Sequence, residues 1–348
     1  MKAKHVIIYL LLVIVTSSCI RDEAPNAEAD ILSCRLPGIT MTTSPIINNN
    51  SVTLFVTPGT NISALAPEFT LTSGATITPA SGTERNFNSP QEYQVTAADG
   101  IWKKTYAISV IDTELATIYN FEDTISGKKY YIFVERENDK VIMEWASGNA
   151  GYAMTGVAKT ADDYPTFQIA NGKNGKCLSL VTRSTGFFGG LVGMPIAAGN
   201  LFIGSFDVNN AMSNPLQATK FGLPFRHVPT YLAGYYKYKA GDQFTEGGKP
   251  VEGKRDICDI YAIMYETSVS VPTLDGTNAF TSPNLVSMAR IKDAKETDEW
   301  TYFKLPFTTL PGKFIDKEKL TMGKYNISIY IQSGRRPLQR SYRKHLIN

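Results

Sequence analysis

Nowhere does this 348-residue chain sustain a 3.6-residue apolar period beyond two turns, which removes helical folds from consideration. In place of helices stand short runs rich in Val, Ile, Thr, Tyr and Phe, punctuated by Gly, Pro, Asn and Ser. The clearest is Lys103-Lys-Thr-Tyr-Ala-Ile-Ser-Val110, where Tyr106, Ile108 and Val110 alternate with Thr105, Ala107 and Ser109. A period of two is the mark of a half-buried strand. Similar runs precede it at Val52-Thr-Leu-Phe-Val56, Glu68-Phe-Thr-Leu-Thr72 and Gln91-Glu-Tyr-Gln-Val-Thr96, with turns at Pro58-Gly59, Ser73-Gly74, Ser81-Gly82 and Asp99-Gly100. Residues 31–112 therefore predict a small immunoglobulin-like sandwich, with Trp102 assigned to its core.

Residues 113–332 are more aromatic and their connections are longer. Strands are expected near 129–134, 140–145, 176–182, 201–206, 257–265, 301–307 and 325–331, and Asn-Gly-Lys-Asn-Gly at 171–175 is turn chemistry. This pattern suits a jelly-roll β-sandwich. The whole chain is thus expected to be all-β, an N-terminal immunoglobulin-like sandwich followed by a jelly-roll β-sandwich.

The first eighteen residues have the form of a secretory signal. Lys2 and Lys4 precede a ten-residue apolar run starting at Val6, and Thr16-Ser17-Ser18 leads to Cys19. Ten residues fall short of the ~20 that cross a bilayer as a helix. Small residues ahead of a cysteine resemble a bacterial lipobox, with Thr16 where Leu is usual. That resemblance implies lipidation of Cys19, a membrane anchor and a tether over 19–30. The acidic start of the tether, Ile20-Arg-Asp-Glu23, is similar to the surface-export signal of Bacteroidetes lipoproteins, which implies an outer-membrane protein exposed at the cell surface.

The formal charge of +3 is misleading. Lys2 and Lys4 belong to the signal, and Arg335, Arg336, Arg340, Arg343 and Lys344 to a basic tail over 333–348, where a shifted reading frame is one explanation. Without those seven the chain holds 28 basic and 32 acidic residues. A mildly acidic body supports no nucleic-acid surface and directs attention to neutral glycans. Cys34, Cys177 and Cys258 contain no C-x-x-C, and His227 is the one histidine outside signal and tail. Structural zinc and a multi-histidine metal site are therefore not expected. No cofactor is indicated; calcium held by loop carboxylates is conceivable, without an EF-hand spacing to support it. Oligomeric state is not readable.

Two resemblances extend along the chain. The segments around Leu65, Thr78, Tyr93 and Lys104 are similar to repeated domains of Bacteroidetes surface lipoproteins, which implies a spacer or stalk. Further on come Phe187-Phe-Gly-Gly-Leu-Val-Gly-Met-Pro-Ile-Ala-Ala-Gly-Asn-Leu-Phe-Ile-Gly-Ser-Phe206, Ala218-Thr-Lys-Phe-Gly-Leu-Pro-Phe225, Leu232-Ala-Gly-Tyr-Tyr-Lys-Tyr-Lys239 and Asp256-Ile-Cys-Asp-Ile-Tyr-Ala-Ile-Met-Tyr-Glu266. These blocks, in order, resemble the PCMD family, the "putative carbohydrate metabolism domain". Membership implies a β-sandwich in a glycan context on a Bacteroidetes lipoprotein, and brings no catalytic motif.

A sugar site needs exposed aromatic faces beside planar polar groups. Tyr235, Tyr236 and Tyr238 are the leading candidates, with Tyr236 and Tyr238 on one strand face and Tyr235 on the other. Trp145 and Trp300 are secondary aromatic candidates, and Asp256 and Asp259 the polar ones. Asp259 interrupts an otherwise apolar inner strand, so it is either bonded inside the core or placed at a site. Three functions are compatible with these residues: a glycan-binding surface lipoprotein, a glycoside hydrolase-like enzyme on the same fold, or a non-catalytic adhesin-like subunit. Catalytic residues are not identifiable.

Overall fold

A computed structural model describes residues 25–246 and 249–334. The signal, Cys19 and the tail beyond Gly334 lie outside the described residues. Strands dominate, and the α-helices among the described residues are five or six residues long: Asn149–Ala153, Gly186–Leu191 and Lys317–Thr321. The expected all-β architecture is what the chain adopts.

In the N-terminal part, Lys103–Ile111 is the organising strand. It pairs in parallel with Ser51–Phe55 and antiparallel with Gln91–Thr96, and Ile46–Ile47 and Thr76–Thr78 extend the two edges. A second, two-stranded sheet joins Ile31–Arg35 to Glu68–Leu71. The four strands expected from the sequence are all present, and Tyr106, Ile108 and Val110 are the buried set. Tyr106 lies directly across from Tyr93, both fully buried among Val52, Leu54 and Val95. Asp30 ties the sheets together, accepting from the Tyr106 hydroxyl at 3.0 Å and from Lys104. Trp102 departs from expectation. It is 63% exposed, because Asp99 accepts from the backbone N–H groups of Ile101 and Trp102 and turns both side chains outward.

The larger part is built on a six-stranded sheet. Asp259–Glu266 runs between Tyr325–Gln332 and Leu285–Arg290, with Asn200–Phe202 and Leu223–Pro224 on the far side of Tyr325–Gln332 and Thr308–Thr309 beyond Leu285–Arg290. Both faces of the central strand are buried, which is why its sequence is apolar without alternation. Tyr261, Ile263 and Tyr265 meet Phe202, Phe221 and Leu274 on one face. On the other face Ile260 packs under Leu232, Tyr236, Tyr238, Phe303 and Leu305. Those five come from a two-stranded antiparallel ribbon, Tyr231–Tyr238 paired with Thr297–Pro306, laid over the central sheet.

The two parts share apolar packing. Phe55 and Ile111 belong to one cluster with Phe133, Met143, Trp145 and Leu201. Lys140 pairs with Asp112 at 2.8 Å, and His227 lies 3.2 Å from Glu114, in keeping with a structural loop histidine.

Candidate functional site

The ribbon displays a group of adjacent, accessible aromatics in the larger part. Its alternation is regular from Tyr231 to Tyr236, so Leu232 and Tyr236 point to the central sheet while Tyr231 and Tyr235 point to solvent. On the partner strand Phe303 and Leu305 go inward, and Trp300, Tyr302 and Lys304 share the outward side. Register brings Tyr235 directly opposite Tyr302 and Tyr231 opposite Pro306. Tyr231, Tyr235 and Tyr302 are each about half exposed, at 54%, 49% and 54%, and Trp300 is half-buried beside them. Tyr231 and Tyr235, four residues apart on one strand, are spaced about 13 Å along it. The result is an aromatic strip on a rigid, sheet-backed support.

Three lysines lie on these rings. Lys304 Nζ is 4.1 Å from the centre of Tyr231, Lys173 Nζ 4.4 Å from Tyr235, and Lys237 Nζ 5.4 Å from Trp300. Lys304 and Lys237 come from the ribbon itself. Lys173 is delivered by the hairpin of Thr166–Ile169 and Cys177–Leu180, whose 170–176 turn stands beside the strip. Glu122 fixes that turn by accepting from the Lys176 backbone N–H at 3.0 Å. Gly175 adopts φ +72, and a Cβ there would sit 2.2 Å from the Glu122 carboxylate, so the position demands glycine. Burial raises the Cys177 thiol pKa, with Glu122 adding to the rise and Lys237 opposing it.

The sequence candidates separate into two groups. Tyr235 and Trp300 are on the strip. Tyr236 faces inward, 6.2 Å from Phe303, and Tyr238 is buried at 9% exposure under the bulged end of the ribbon. Trp145 is a core residue, not a surface platform. It packs edge-on to Tyr119 at 5.0 Å, and its indole N–H donates to Glu135 at 2.8 Å. Asp256 is half-buried at the approach to the central strand, where its carboxylate accepts from the Ile257 N–H. Asp259 is 1% exposed and accepts the Arg290 guanidinium in a two-pronged pair, with Arg290 stacked 4.4 Å over Phe280. It is bonded inside the core. Sequence reasoning did not single out Tyr231 or Tyr302; Tyr302 lies in the strand expected at 301–307 and Tyr231 at the head of the aromatic run that holds Tyr235, but only the cross-strand register puts the three together.

Of the other carboxylates, Glu135 and Glu266 are engaged structurally. Burial raises the Glu135 carboxyl pKa, the Trp145 hydrogen bond opposes the rise, and Asp123 adds to it. Burial also raises Glu144, with Lys128 opposing, although part of its side chain stays exposed. Glu135 is registered with Met143, so Glu144 falls on the opposite face of its hairpin and the two do not converge. A cavity of about 340 Å³ near Glu266, Asn284 and Phe314 opens at the far end of the central strand from Asp259. Its Glu266 is paired with Lys319 at 2.7 Å. Glu266 and Asp259 are seven residues apart on one strand, about 23 Å, too far for the 5–10 Å of a glycosidase pair. No group of three or more His, Cys, Asp or Glu converges as a metal site among the described residues.

Fold and surface together define an all-β sandwich protein with a sheet-backed aromatic strip. Residues 120–337 match the family described as "Putative carbohydrate metabolism domain", and the chain belongs to that family, PCMD. Residues 31–110 match "SGBP, N-terminal". A protein of Bacteroides thetaiotaomicron described as a putative glycoside hydrolase is 83% identical, with TM-score 0.87 over 90% of this chain and 92% of that one. A Bacteroides vulgatus protein of the same description is 47% identical, with TM-score 0.58 over 62% and 88%. No curated protein matches. The chain is therefore carbohydrate-related.

Proposed function

We propose that this is a glycan-binding lipoprotein of the outer membrane, anchored through Cys19 and exposed at the cell surface, with the N-terminal sandwich as stalk. One observation carries the reading: Tyr231, Tyr235, Trp300 and Tyr302 are collected from two strands onto one outward face. Buried aromatics are the usual outcome in a sandwich, because each removes a large apolar area from water. Leaving several adjacent rings open has a hydrophobic cost that a ligand would recover, and pyranose C–H faces fit such rings. Stacking of this kind calls for no metal or cofactor. A glycan array probed with the protein and with Tyr235→Ala/Tyr302→Ala tests it. Binding by the parent and loss in the variant, with unchanged circular dichroism, is expected; silence of the parent on every glycan rejects the reading. Anchoring is tested separately by labelled fatty-acid incorporation, which Cys19→Ala should abolish.

Glycoside hydrolysis is a second reading, favoured by the description of both Bacteroides relatives as putative glycoside hydrolases; Glu135, whose carboxyl pKa is raised by burial, is the acid to test. Reducing-end release from a bound polysaccharide, lost in Glu135→Gln with binding retained, would support it. No release by the parent protein removes it.

A further inference from the structure

We propose that the aromatic strip selects acidic saccharides, those carrying carboxylate or sulfate groups, over neutral ones; this rests on the glycan-binding reading above. The chain as a whole argues the other way, since its body has more acidic than basic residues. Locally the balance is inverted. Lys173, Lys237 and Lys304 are all exposed, each within 5.4 Å of the centre of a strip aromatic, and none has a carboxylate partner among the described residues. Other cations on aromatics of the larger part are engaged elsewhere: Arg290 over Phe280 is neutralised by Asp259, Lys254 over Phe244 pairs with Glu246, and Arg183 over Phe167 donates to the Asp162 and Tyr164 carbonyls. The exposed acids of the ribbon, Asp298 and Glu299, lie at its bulged end beside Trp300 and Lys237, so the most cationic stretch of the strip is the one around Tyr231 and Tyr235, under Lys304 and Lys173.

An ammonium over a ring face is held there by the ring's quadrupole and keeps N–H donors for a further acceptor. A neutral sugar approaching that face must displace the ammonium and gives it only hydroxyls in return. A uronate or sulfated sugar supplies an anion at the ring edge, so ring and ammonium are both satisfied. Tyr231, Tyr235 and Trp300 follow one another along the ribbon, so the lysines over them form a row and not a single cluster, as a polymer with repeated anionic groups requires.

Affinity electrophoresis of the full chain tests the proposal, using polygalacturonate, dextran sulfate, galactan and dextran as probes. Acidic polymers are expected to bind at least about tenfold more tightly than neutral ones at low salt, the preference shrinking as screening shortens electrostatic reach to about 10 Å near 0.1 M. Lys173→Gln/Lys237→Gln/Lys304→Gln should lose the preference while retaining any neutral binding. Lys103→Gln/Lys159→Gln/Lys317→Gln, which removes the same charge elsewhere, should retain it. The contrast between polygalacturonate and dextran sulfate identifies carboxylate or sulfate as the preferred anion. Equal binding of neutral and acidic polymers, or a preference that survives the strip substitutions or is lost equally in both triple variants, overturns this inference and leaves the glycan-binding reading standing. Binding to none of the probes or array glycans overturns both.

Discussion

Tyr235 and Tyr302 face each other across the ribbon as a directly registered pair, with ring centres 5.2 Å apart and planes inclined at 52°. Rings in contact hold one another in place, so their contributions to a ligand are not independent. Tyr235→Ala and Tyr302→Ala are each expected to weaken glycan binding about 5- to 30-fold, the range for an interface residue worth ~1–2 kcal/mol. The double variant should lose less than the sum of the single losses in free energy. Titration calorimetry of all four proteins checks this, and strict additivity would show that the two rings act separately.

Asp259 is a strut between central strands. Replacing it with Asn removes the Asp259 charge from the guanidinium that stacks on Phe280, and because Arg290 keeps 28% exposure the loss is expected below the ~3–5 kcal/mol of breaking a fully buried pair. Denaturant unfolding should report that loss, while glycan affinity measured well below the transition should stay at the parent value. A drop in affinity without a drop in stability would return Asp259 to the binding surface.

Trp145 lies in the cluster that joins the two parts of the chain. Trp145→Ala should destabilise by about 3–5 kcal/mol through the cavity it leaves. Loss of the indole also leaves Glu135 short of a donor. Calorimetry is expected to show the parent melting in one transition and the variant in two, as coupling through Phe55 and Ile111 weakens. A single transition in the variant would mean that other contacts suffice.

Glu135 sets a pH dependence of known sign. Its pKa in the fold lies above the usual carboxylate value, with burial the leading cause, so the fold favours the protonated form. That stabilisation is complete below the unfolded pKa, near ~4.3, and is lost as pH rises through the folded value. Glu135→Gln keeps an oxygen for the Trp145 N–H and removes the charge. Its melting temperature should therefore fall less than the parent's between about pH 4.3 and 7. Parallel profiles would mean that the carboxyl is as well solvated folded as unfolded.

Strand positions were legible because each strand with one dry face writes a period of two into the chain. Lys103–Ile111 shows it, and its buried set is the one expected. Legibility ends where both faces are covered. Met143 and Trp145 share a side with exposed Glu144 between them, but Ile142 on the other side of the strand is buried as well, so alternation does not say which side carries the core. Trp102 fails differently, through an Asp99 turn that reverses the direction of a side chain just outside a strand. The strip is a non-local object. Tyr235 and Tyr302 are 67 positions apart in the chain, and only the ribbon's register makes them neighbours. The Lys173 contact is more remote still from any local pattern, because it depends on a hairpin meeting the ribbon through space.

The shared cluster around Trp145 also fixes how the molecule bears load. A polymer pulling on the ribbon draws on the central sheet, then on Phe133 and Trp145, and reaches the N-terminal part at Ile111. Ile111 ends a nine-residue strand clamped on one side by a parallel neighbour and on the other by an antiparallel one. Tension along that strand would strain many ladder hydrogen bonds in shear together instead of peeling them apart singly. Such an arrangement suits a part that must hold onto a dragging chain without coming undone.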